Sequence, residues 1–115
     1  GQGLTISQCK DLADALRAKG NAAFKAGRTQ KALRVYNAGL DPVRYLSTFL
    51  EHDKQTLHPA EKELAEAARL SIFLNLAACH DKLANWQASV ENCRKVLELS
   101  PSNRKARFRR ARGYL

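Results

Sequence analysis

The feature of this sequence that most constrains its fold is a repeat with a period near 34 residues. The second half of the chain contains the runs FLNLAAC and ARFRRAR, and Asn75 in the first run lies 34 positions before Arg109 in the second. Self-similarity at this spacing is typical of stacked helix-turn-helix units. Because each unit buries its apolar face against the next one, the period predicts an all-α stack of antiparallel helix pairs.

The residues between the two runs have the size pattern of one complete unit. Packing between two helices requires large, small, large, small, apolar and helix-stopping residues in turn. The sequence has these types, in that order, at Leu76, Ala77, Trp86, Ser89, Val96 and Pro101. A further unit begins after Pro101, with Ala111 as the small residue of its first helix and Tyr114 as the aromatic residue three positions on.

The stretch NLAACHDKL followed by CRKVLELSPSNRKARFRRA resembles the tetratricopeptide repeat in the form found in the large immunophilins. These are multidomain peptidyl-prolyl isomerases, of FK-binding and cyclophilin types, whose C-terminal repeats bind heat-shock protein 90. The resemblance covers nearly the whole chain and is strongest after Leu70. It implies an all-α tetratricopeptide-repeat helical solenoid of antiparallel helix pairs.

The first helix is predicted over the stretch SQCKDLADALRAKGNAAFKAG. Thr5 and Ser7 are both candidate N-caps, Thr5 and Gln8 have the spacing of a capping box, and Gly27 is the predicted stop. A glycine inside a helix costs roughly 1 kcal/mol relative to alanine, so Gly20 predicts that another helix passes closely there. An apolar stripe at helical spacing is expected to face the core through Leu12, Leu16, Ala23 and Phe24.

The second helix is predicted over TQKALRVYNAGL, with Ala32, Leu33, Tyr36 and Leu40 on its buried face. We expect a break at Asp41-Pro42, with Asp41 as cap and Pro42 at the first position of a continuing helix. Ala18 and Asn75, placed at equivalent repeat positions, are 57 residues apart, about 23 more than one period. This excess predicts elongated second and third helices. Asn85 is the expected cap of the fourth helix.

The predicted domain covers residues 6–115. Repeat one spans about 6–54, repeat two about 59–100, and the first half of repeat three spans about 102–115. A solenoid that stops after half a repeat leaves an apolar face uncovered. The sequence therefore predicts a fragment of a longer protein, with self-association through the truncated third repeat or marginal stability as the consequence.

The formal charge of +9 is concentrated at one end of the chain. The last twelve residues contain six basic residues and no acidic one. A cationic block predicts a partner that presents negative charge there. For Arg104, Arg107, Arg110 and Arg112, a solvated helix face and steering of acidic peptides both remain open.

Polar residues also recur on one side of the first helix of each predicted unit. Residues four apart on a helix lie one above the other, and stacking of the units would place these helices side by side along a groove. Three cationic groups and two amides, which are good donors to carboxylates, would line this groove: Arg17, Asn21, Asn75, Lys105 and Arg109.

In the family that the sequence resembles, this arrangement is a two-carboxylate clamp. The clamp holds the C-terminal Glu-Glu-Val-Asp of heat-shock protein 90 or of the 70-kDa chaperone. The family has lysine where this chain has Arg17, so a planar fork replaces a point charge. Phe24, one turn after Asn21, would contact the valine of the peptide. The residue types that match the family by position are Asn21, Asn75, Lys105 and Arg109.

Other classes of function are less consistent with the sequence. Helical repeats that read RNA stack bases on side chains at every repeat, whereas the aromatic residues near the basic block, Phe108 and Tyr114, occupy packing positions. Paired carboxylates, nucleophile-histidine constellations and phosphate loops are missing, so the residues predict no enzyme. Any isomerase domain of the parent protein would lie outside this chain.

A tetratricopeptide domain from a co-chaperone without isomerase activity remains an alternative.

The cysteines and histidines indicate neither a metal site nor a cofactor. Cys9, Cys79 and Cys93 have no CxxC spacing, so we expect small buried hydrophobic side chains in a reducing compartment. The histidines have no partner at ligand spacing. Without a signal peptide or an apolar run long enough to span a bilayer, the sequence predicts the cytoplasm, and also the nucleus, as the location.

Overall fold

A computed structural model describes residues 5–42 and 59–102 of the chain, and these residues form four α-helices and no strand. Helix α1 spans Ile6–Lys25, α2 spans Thr29–Ala38, α3 spans Pro59–Lys82 and α4 spans Trp86–Leu99. The all-α prediction is confirmed. The elongated third helix is also confirmed, because α3 has 24 residues. The predicted extension of the second helix and the half repeat at the C-terminus lie outside the described residues.

The helices are arranged as two hairpins. Helix α1 packs along α2, and α3 packs along α4. Helix α2 also packs against α3, whereas α1 reaches α3 over a smaller contact. Helix α2 therefore joins the two hairpins, as expected for stacked helix pairs, and a corner forms where α1, α2 and α3 meet.

Local caps set the limits of α1. The Thr5 hydroxyl accepts a hydrogen bond from the backbone N–H of Gln8 at 3.1 Å, and the Gln8 side chain accepts one from the Thr5 N–H at 2.9 Å. The helix is followed by Gly27, whose φ of 79° is favourable only for residues that tolerate the left-handed region. Both predicted caps are confirmed, and the chain reverses into α2 over residues 26–28.

The apolar stripe of α1 differs from the predicted one at its N-terminal end. Cys9, Ala13 and Ala23 are buried, but Leu12 is 42% exposed and lies on the flank of the stripe. Small side chains at the contact allow α1 to approach its neighbours closely. The prediction for Leu12 was therefore wrong, because the small side chains of Cys9 and Ala13 occupy the contact and leave Leu12 partly exposed beside it.

Gly20 is the point of closest contact between α1 and α2. A Cβ atom at this position would lie 2.5 Å from Cε1 and 2.6 Å from Cδ1 of Tyr36, which is buried on α2. These distances are shorter than any normal carbon-carbon contact. The predicted role of Gly20 is confirmed, and the aromatic ring of Tyr36 is the group that passes over it.

The break after α2 lies earlier than predicted. Helix α2 ends at Ala38, Gly39 forms a turn, and helical backbone resumes at Leu40 and continues through Pro42. Proline is tolerated in the first turn of a helix, where its missing N–H has no intrahelical partner. The predicted break at Asp41 was therefore wrong, and the discontinuity falls at Gly39, where a Cβ atom would lie 3.2 Å from a backbone oxygen.

The core between α3 and α4 follows the predicted pattern except at Trp86. This residue was predicted at a packing position, but it is the first residue of α4 and is 41% exposed. Leu76, Ala77, Ser89 and Val96 are buried, and the Ser89 hydroxyl donates a hydrogen bond of 2.5 Å to Asp81. The three cysteines form no disulfide and are buried, which confirms their predicted packing role. Burial raises the pKa of the Cys79 thiol to about 11, so this group stays protonated at neutral pH.

Helix α4 begins at the predicted residue but without the predicted side-chain cap. Asn85 is the N-cap residue of α4, and its side chain makes no capping hydrogen bond. Ala84 before it has a φ of 55°, and the Asn85 backbone N–H donates to the His80 carbonyl at 2.8 Å. The tight turn therefore depends on backbone hydrogen bonds. Among residues 5–42 and 59–102, no helix has the length and apolar character needed to cross a bilayer.

Candidate binding site

A surface pocket of about 130 Å³ lies at the corner where α1, α2 and α3 meet. Its lining combines amide, aromatic, cationic and small apolar side chains, and three of the six sequence-predicted site residues are among them. The lining residues are Asn21, Phe24 and Lys25 from α1, Tyr36 from α2, and Asn75 and Ala78 from α3. The fold therefore brings Asn21 and Asn75, which are far apart in sequence, to one pocket.

The side chain of Asn21 is held by a hydrogen bond from the second helix. The Tyr36 hydroxyl donates to Oδ1 of Asn21 at 2.5 Å. Burial raises the pKa of Tyr36, and the nearby Cys79 raises it further, so the hydroxyl keeps its proton at neutral pH. With its oxygen bonded to Tyr36, the Asn21 amide retains its NH₂ group for a ligand.

Asn75 provides a second amide on the opposite side of the pocket. It lies in the interior of α3 and is half-buried. Its side chain makes no hydrogen bond to any of the residues that the structure describes. Asparagine is a poor residue for a helix interior because it competes for backbone hydrogen bonds, so its presence in the pocket wall, with an accessible amide, fits a binding role.

Phe24 forms the apolar wall of the pocket, and two lysines surround it. Nζ of Lys82, at the end of α3, lies 5.4 Å from the centroid of the Phe24 ring, within the range of a cation–π contact. Lys25 lines the pocket directly. Neither lysine forms an ion pair with the described part of the chain, so both charges are available to an anionic ligand.

Arg17 lies outside the pocket lining. It is one helical turn before Asn21, and its guanidinium Nη2 is 3.5 Å from Oδ1 of Asp14. Both side chains are exposed, so this pair contributes little to stability and does not hold Arg17 away from a ligand. The other two predicted site residues, Lys105 and Arg109, lie outside the described residues.

The chemistry of the pocket suits an anion joined to an apolar group. The two amides and two lysines supply hydrogen-bond donors and positive charge, and carboxylates accept both. Phe24 and Ala78 provide an apolar surface beside them. Within residues 5–42 and 59–102, no cluster of three or more histidine, cysteine, aspartate or glutamate side chains could hold a metal ion.

Sequence reasoning did not identify Lys25, Tyr36, Ala78 or Lys82 as site residues. Lys25 is four residues after Asn21, so helical spacing could have indicated it. Ala78 is three residues after Asn75, and its small side chain leaves room for the pocket. Tyr36 was expected only in the core, and the position of its hydroxyl depends on the crossing of α1 and α2.

The sequence of this chain is similar to parts of several known proteins. No protein-family model matches the sequence. The peptidyl-prolyl cis-trans isomerase FKBP4 of Bos taurus is 39% identical over 100 residues, which is 87% of this chain and 20% of that protein. PASTICCINO1, a peptidyl-prolyl cis-trans isomerase of Arabidopsis thaliana, is 32% identical over 98% of this chain and 16% of its own length. The chain therefore spans about a fifth of the curated relatives it matches.

Two other matches extend over almost the whole chain. The mitochondrial import receptor subunit TOM70 of Rattus norvegicus is 34% identical over 99% of this chain and 16% of its own length. The C-terminal TPR-containing domain of a Plasmodium falciparum FK506-binding protein has the same fold, with a TM-score of 0.79 over 96% of this chain and 68% of that one, at 23% identity.

The fold and these matches define the class: the chain has the tetratricopeptide-repeat fold. More narrowly, it is related to the large immunophilins of the FK-binding type, which confirms the resemblance seen in the sequence. It aligns with the repeat region of these proteins and not with their isomerase domain.

Proposed function

We propose that the pocket binds the acidic C-terminus of a protein partner and thereby tethers the parent protein to that partner. The observation that carries the proposal is the convergence of Asn21, Phe24 and Asn75 from two different helices on one pocket. Two amides can donate to a terminal carboxylate, and Phe24 can contact an apolar side chain next to it. Lys25 and Lys82 add positive charge on the same side.

The specific partner in this proposal is the C-terminal Glu-Glu-Val-Asp of heat-shock protein 90 or of the 70-kDa chaperone. Such a peptide carries a main-chain carboxylate, acidic side chains and one valine, which match the donors, cations and aromatic wall of the pocket. Arg17, Lys105 and Arg109 belong to the same proposed carboxylate clamp. Charge-assisted hydrogen bonds contribute roughly 1.5 to 3 kcal/mol each, and ordering the peptide offsets much of this, so we expect micromolar affinity.

The proposal can be tested by calorimetric titration with a free-acid pentapeptide ending in Glu-Glu-Val-Asp. We expect the C-terminal amide of this peptide to bind at least about tenfold more weakly, because it lacks the charged acceptor. Asn21→Ala, Asn75→Ala and Lys105→Ala should each weaken binding of the free acid by about ten- to a hundredfold.

A matched control for the asparagine variants is Asn37→Ala. Asn37 is exposed on α2 and does not line the pocket, so this variant should bind like the unmodified chain. Equal affinity for the free acid and the amide would rule out a carboxylate clamp. Loss of binding in Asn37→Ala to the same extent as in Asn21→Ala would place the site elsewhere.

We further propose that the parent protein is an FK-binding-type isomerase whose catalytic domain lies outside these residues. The support is the similarity to FKBP4 and PASTICCINO1. The match to TOM70 supports a second candidate, a tetratricopeptide protein without isomerase activity. Buried cysteines that form no disulfide suit a reducing compartment, and we propose the cytoplasm, and also the nucleus. The sequence of the full-length protein distinguishes the two parents, because only the first contains an isomerase domain.

A further inference from the structure

We propose that Tyr36 is a positioning residue of the binding site, which holds the Asn21 side chain so that its NH₂ group faces the ligand. This inference rests on the proposed binding of a carboxylate in the pocket. It adds a residue of the second helix to a site that the sequence pattern assigned to the first helices of the repeats.

The ring of Tyr36 has little freedom to move. The residue is only 3% exposed, and its Cε1 atom lies 2.5 Å from the position that a Cβ atom would occupy at Gly20. The ring thus fills the space left by the missing side chain of Gly20. Because Gly20 and Asn21 are adjacent in α1, the same contact brings the Tyr36 hydroxyl to the Asn21 side chain.

The hydrogen bond from Tyr36 selects one of two amide orientations. An asparagine side chain can present either its carbonyl oxygen or its NH₂ group in a given direction. The Tyr36 hydroxyl donates to Oδ1 of Asn21 at 2.5 Å, so the oxygen points toward α2 and the NH₂ group is left for the pocket. The opposite orientation would turn an oxygen toward the carboxylate of a ligand and repel it.

Asn75 offers a useful comparison within the same pocket. Its side chain has no hydrogen-bond partner among the residues that are described, so nothing in this part of the structure selects its orientation. Asn21 is therefore the amide that is prepared for a carboxylate before the ligand arrives. Preparation of this kind increases affinity because less ordering is required on binding.

The test is the variant Tyr36→Phe, which keeps the ring over Gly20 and removes only the hydroxyl. We expect affinity for the free-acid pentapeptide to fall by about three- to tenfold, the equivalent of one ordinary hydrogen bond. Affinity for the amidated peptide should change less, so the preference for the free acid should shrink. In an Asn21→Ala background, Tyr36→Phe should change the affinity by less than about twofold, because the group it orients is gone.

The control variant is Ser89→Ala. It also removes a buried hydroxyl that donates a 2.5 Å hydrogen bond, in this case to Asp81 in the other hairpin, and it should leave both peptide affinities unchanged. Unchanged affinity in Tyr36→Phe, or an equal loss with and without Asn21, would overturn the positioning role. If the unmodified chain bound neither peptide, the proposed function would fail together with the positioning role. If the unmodified chain bound the free acid and Tyr36→Phe bound it equally well, only the positioning role would fail.

A measurement on the unmodified chain checks the orientation directly. In the proposed orientation the Asn21 NH₂ protons point away from the Tyr36 ring, so their nuclear Overhauser cross-peaks to the Tyr36 Hε protons should be weak. Strong cross-peaks would show that the NH₂ group faces Tyr36 and would contradict the proposal.

Discussion

Gly20 sets the distance between the first two helices and, through it, the position of the binding-site amide. It has no side chain at the point where the Tyr36 ring crosses α1. The ring can therefore pack against the α1 backbone and place its hydroxyl on Asn21. Gly20 lowers the helix propensity of α1 by about 1 kcal/mol relative to alanine, and it allows the buried Tyr36 ring to pack directly on the α1 backbone.

Replacing Gly20 with alanine should destabilise the domain although alanine favours helix. The added Cβ would overlap a buried, rigid ring, and overpacking of this kind costs about 1–3 kcal/mol, against a gain in helix propensity of about 1 kcal/mol. Because two ring atoms of the buried Tyr36 lie within 2.6 Å of the added Cβ, we expect a cost of about 2–3 kcal/mol. The net loss in the free energy of unfolding is then about 1–2 kcal/mol, measured by urea denaturation.

Gly27 provides the contrasting control. Its φ of 79° is in the left-handed region, and no atom lies within 4 Å of its hypothetical Cβ. Asparagine tolerates this conformation, so Gly27→Asn should cost less than about 1 kcal/mol. A Gly20→Ala variant as stable as the unmodified chain would contradict the close contact with Tyr36.

His80 should make the stability of the domain sensitive to mild acid. Burial lowers the pKa of His80 below its usual value of 6.5, although the nearby Asp81 opposes part of the shift. The unfolded chain then binds the proton first as the pH falls, so stability is highest above pH 6.5 and decreases toward the lower pKa of the folded state. In the His80→Gln variant, the melting temperature should change less between pH 7 and pH 5 than in the unmodified chain. An unchanged pH dependence would exclude this role.

Much of the candidate site could be predicted at the residue scale. Asn21, Phe24 and Asn75 were predicted because helical spacing and the repeat period place them on one side of the first helices, and the structure brings them together. The role of Tyr36 could not be predicted, because hydrophobic spacing indicates that a side chain is buried but not where its polar end lies. That position depends on the crossing of α1 over α2.

At the scale of the element, capping residues in the sequence predict where a helix begins and ends. Thr5 and Gly27 were predicted to bound α1, and the structure confirms both. Leu12 was wrongly predicted to be buried. Which side chains of α1 are buried depends on where small residues allow the neighbouring helices to approach, and hydrophobic spacing does not show this. The break at Gly39 was missed because Pro42 is the stronger local signal, whereas the turn at Gly39 also depends on a side chain of α3 that lies 3.4 Å from the position of its Cβ.

Mutation of the N-cap residues of α1 and α4 should lower the free energy of unfolding by different amounts. Thr5→Ala removes a reciprocal capping box and should lower the free energy of unfolding by about 0.5–2 kcal/mol. Asn85→Ala should cost less than about 0.5 kcal/mol, because the Asn85 side chain makes no capping hydrogen bond. Urea denaturation of both variants tests the difference. A larger effect at Asn85 than at Thr5 would show that the cap of α4 is formed differently in solution.

At the scale of the whole molecule, positive charge lies on the side of the first hairpin and in the C-terminal block. Residues 5–42 contain seven basic and three acidic residues, whereas residues 59–102 contain five basic and six acidic ones. Most of the pocket lining comes from the more basic first hairpin. This asymmetry favours approach of an acidic peptide from the α1 side.

Binding of the acidic peptide should therefore weaken with salt. Between 50 mM and 500 mM salt we expect the affinity to fall at least about fivefold, since the added ions screen the exposed lysines. A Lys25→Gln, Lys82→Gln double variant should bind more weakly at low salt and show a smaller salt dependence. Lys31→Gln is the control, because Lys31 is exposed on α2 and does not line the pocket.

Tight, salt-dependent binding of single-stranded RNA with no binding of the acidic peptide would instead favour a nucleic-acid partner. The same titrations therefore also test the main alternative class of ligand.

The most direct test of the central claim is a nuclear magnetic resonance titration that follows the side-chain NH₂ signals of the asparagines. On addition of the free-acid pentapeptide, the signals of Asn21 and Asn75 should shift together and saturate at micromolar concentration. Those of Asn37 and Asn92, which do not line the pocket, should stay in place. Unmoved signals at Asn21 and Asn75, or equal shifts with the amidated peptide, would contradict a carboxylate-binding site at the corner of α1, α2 and α3.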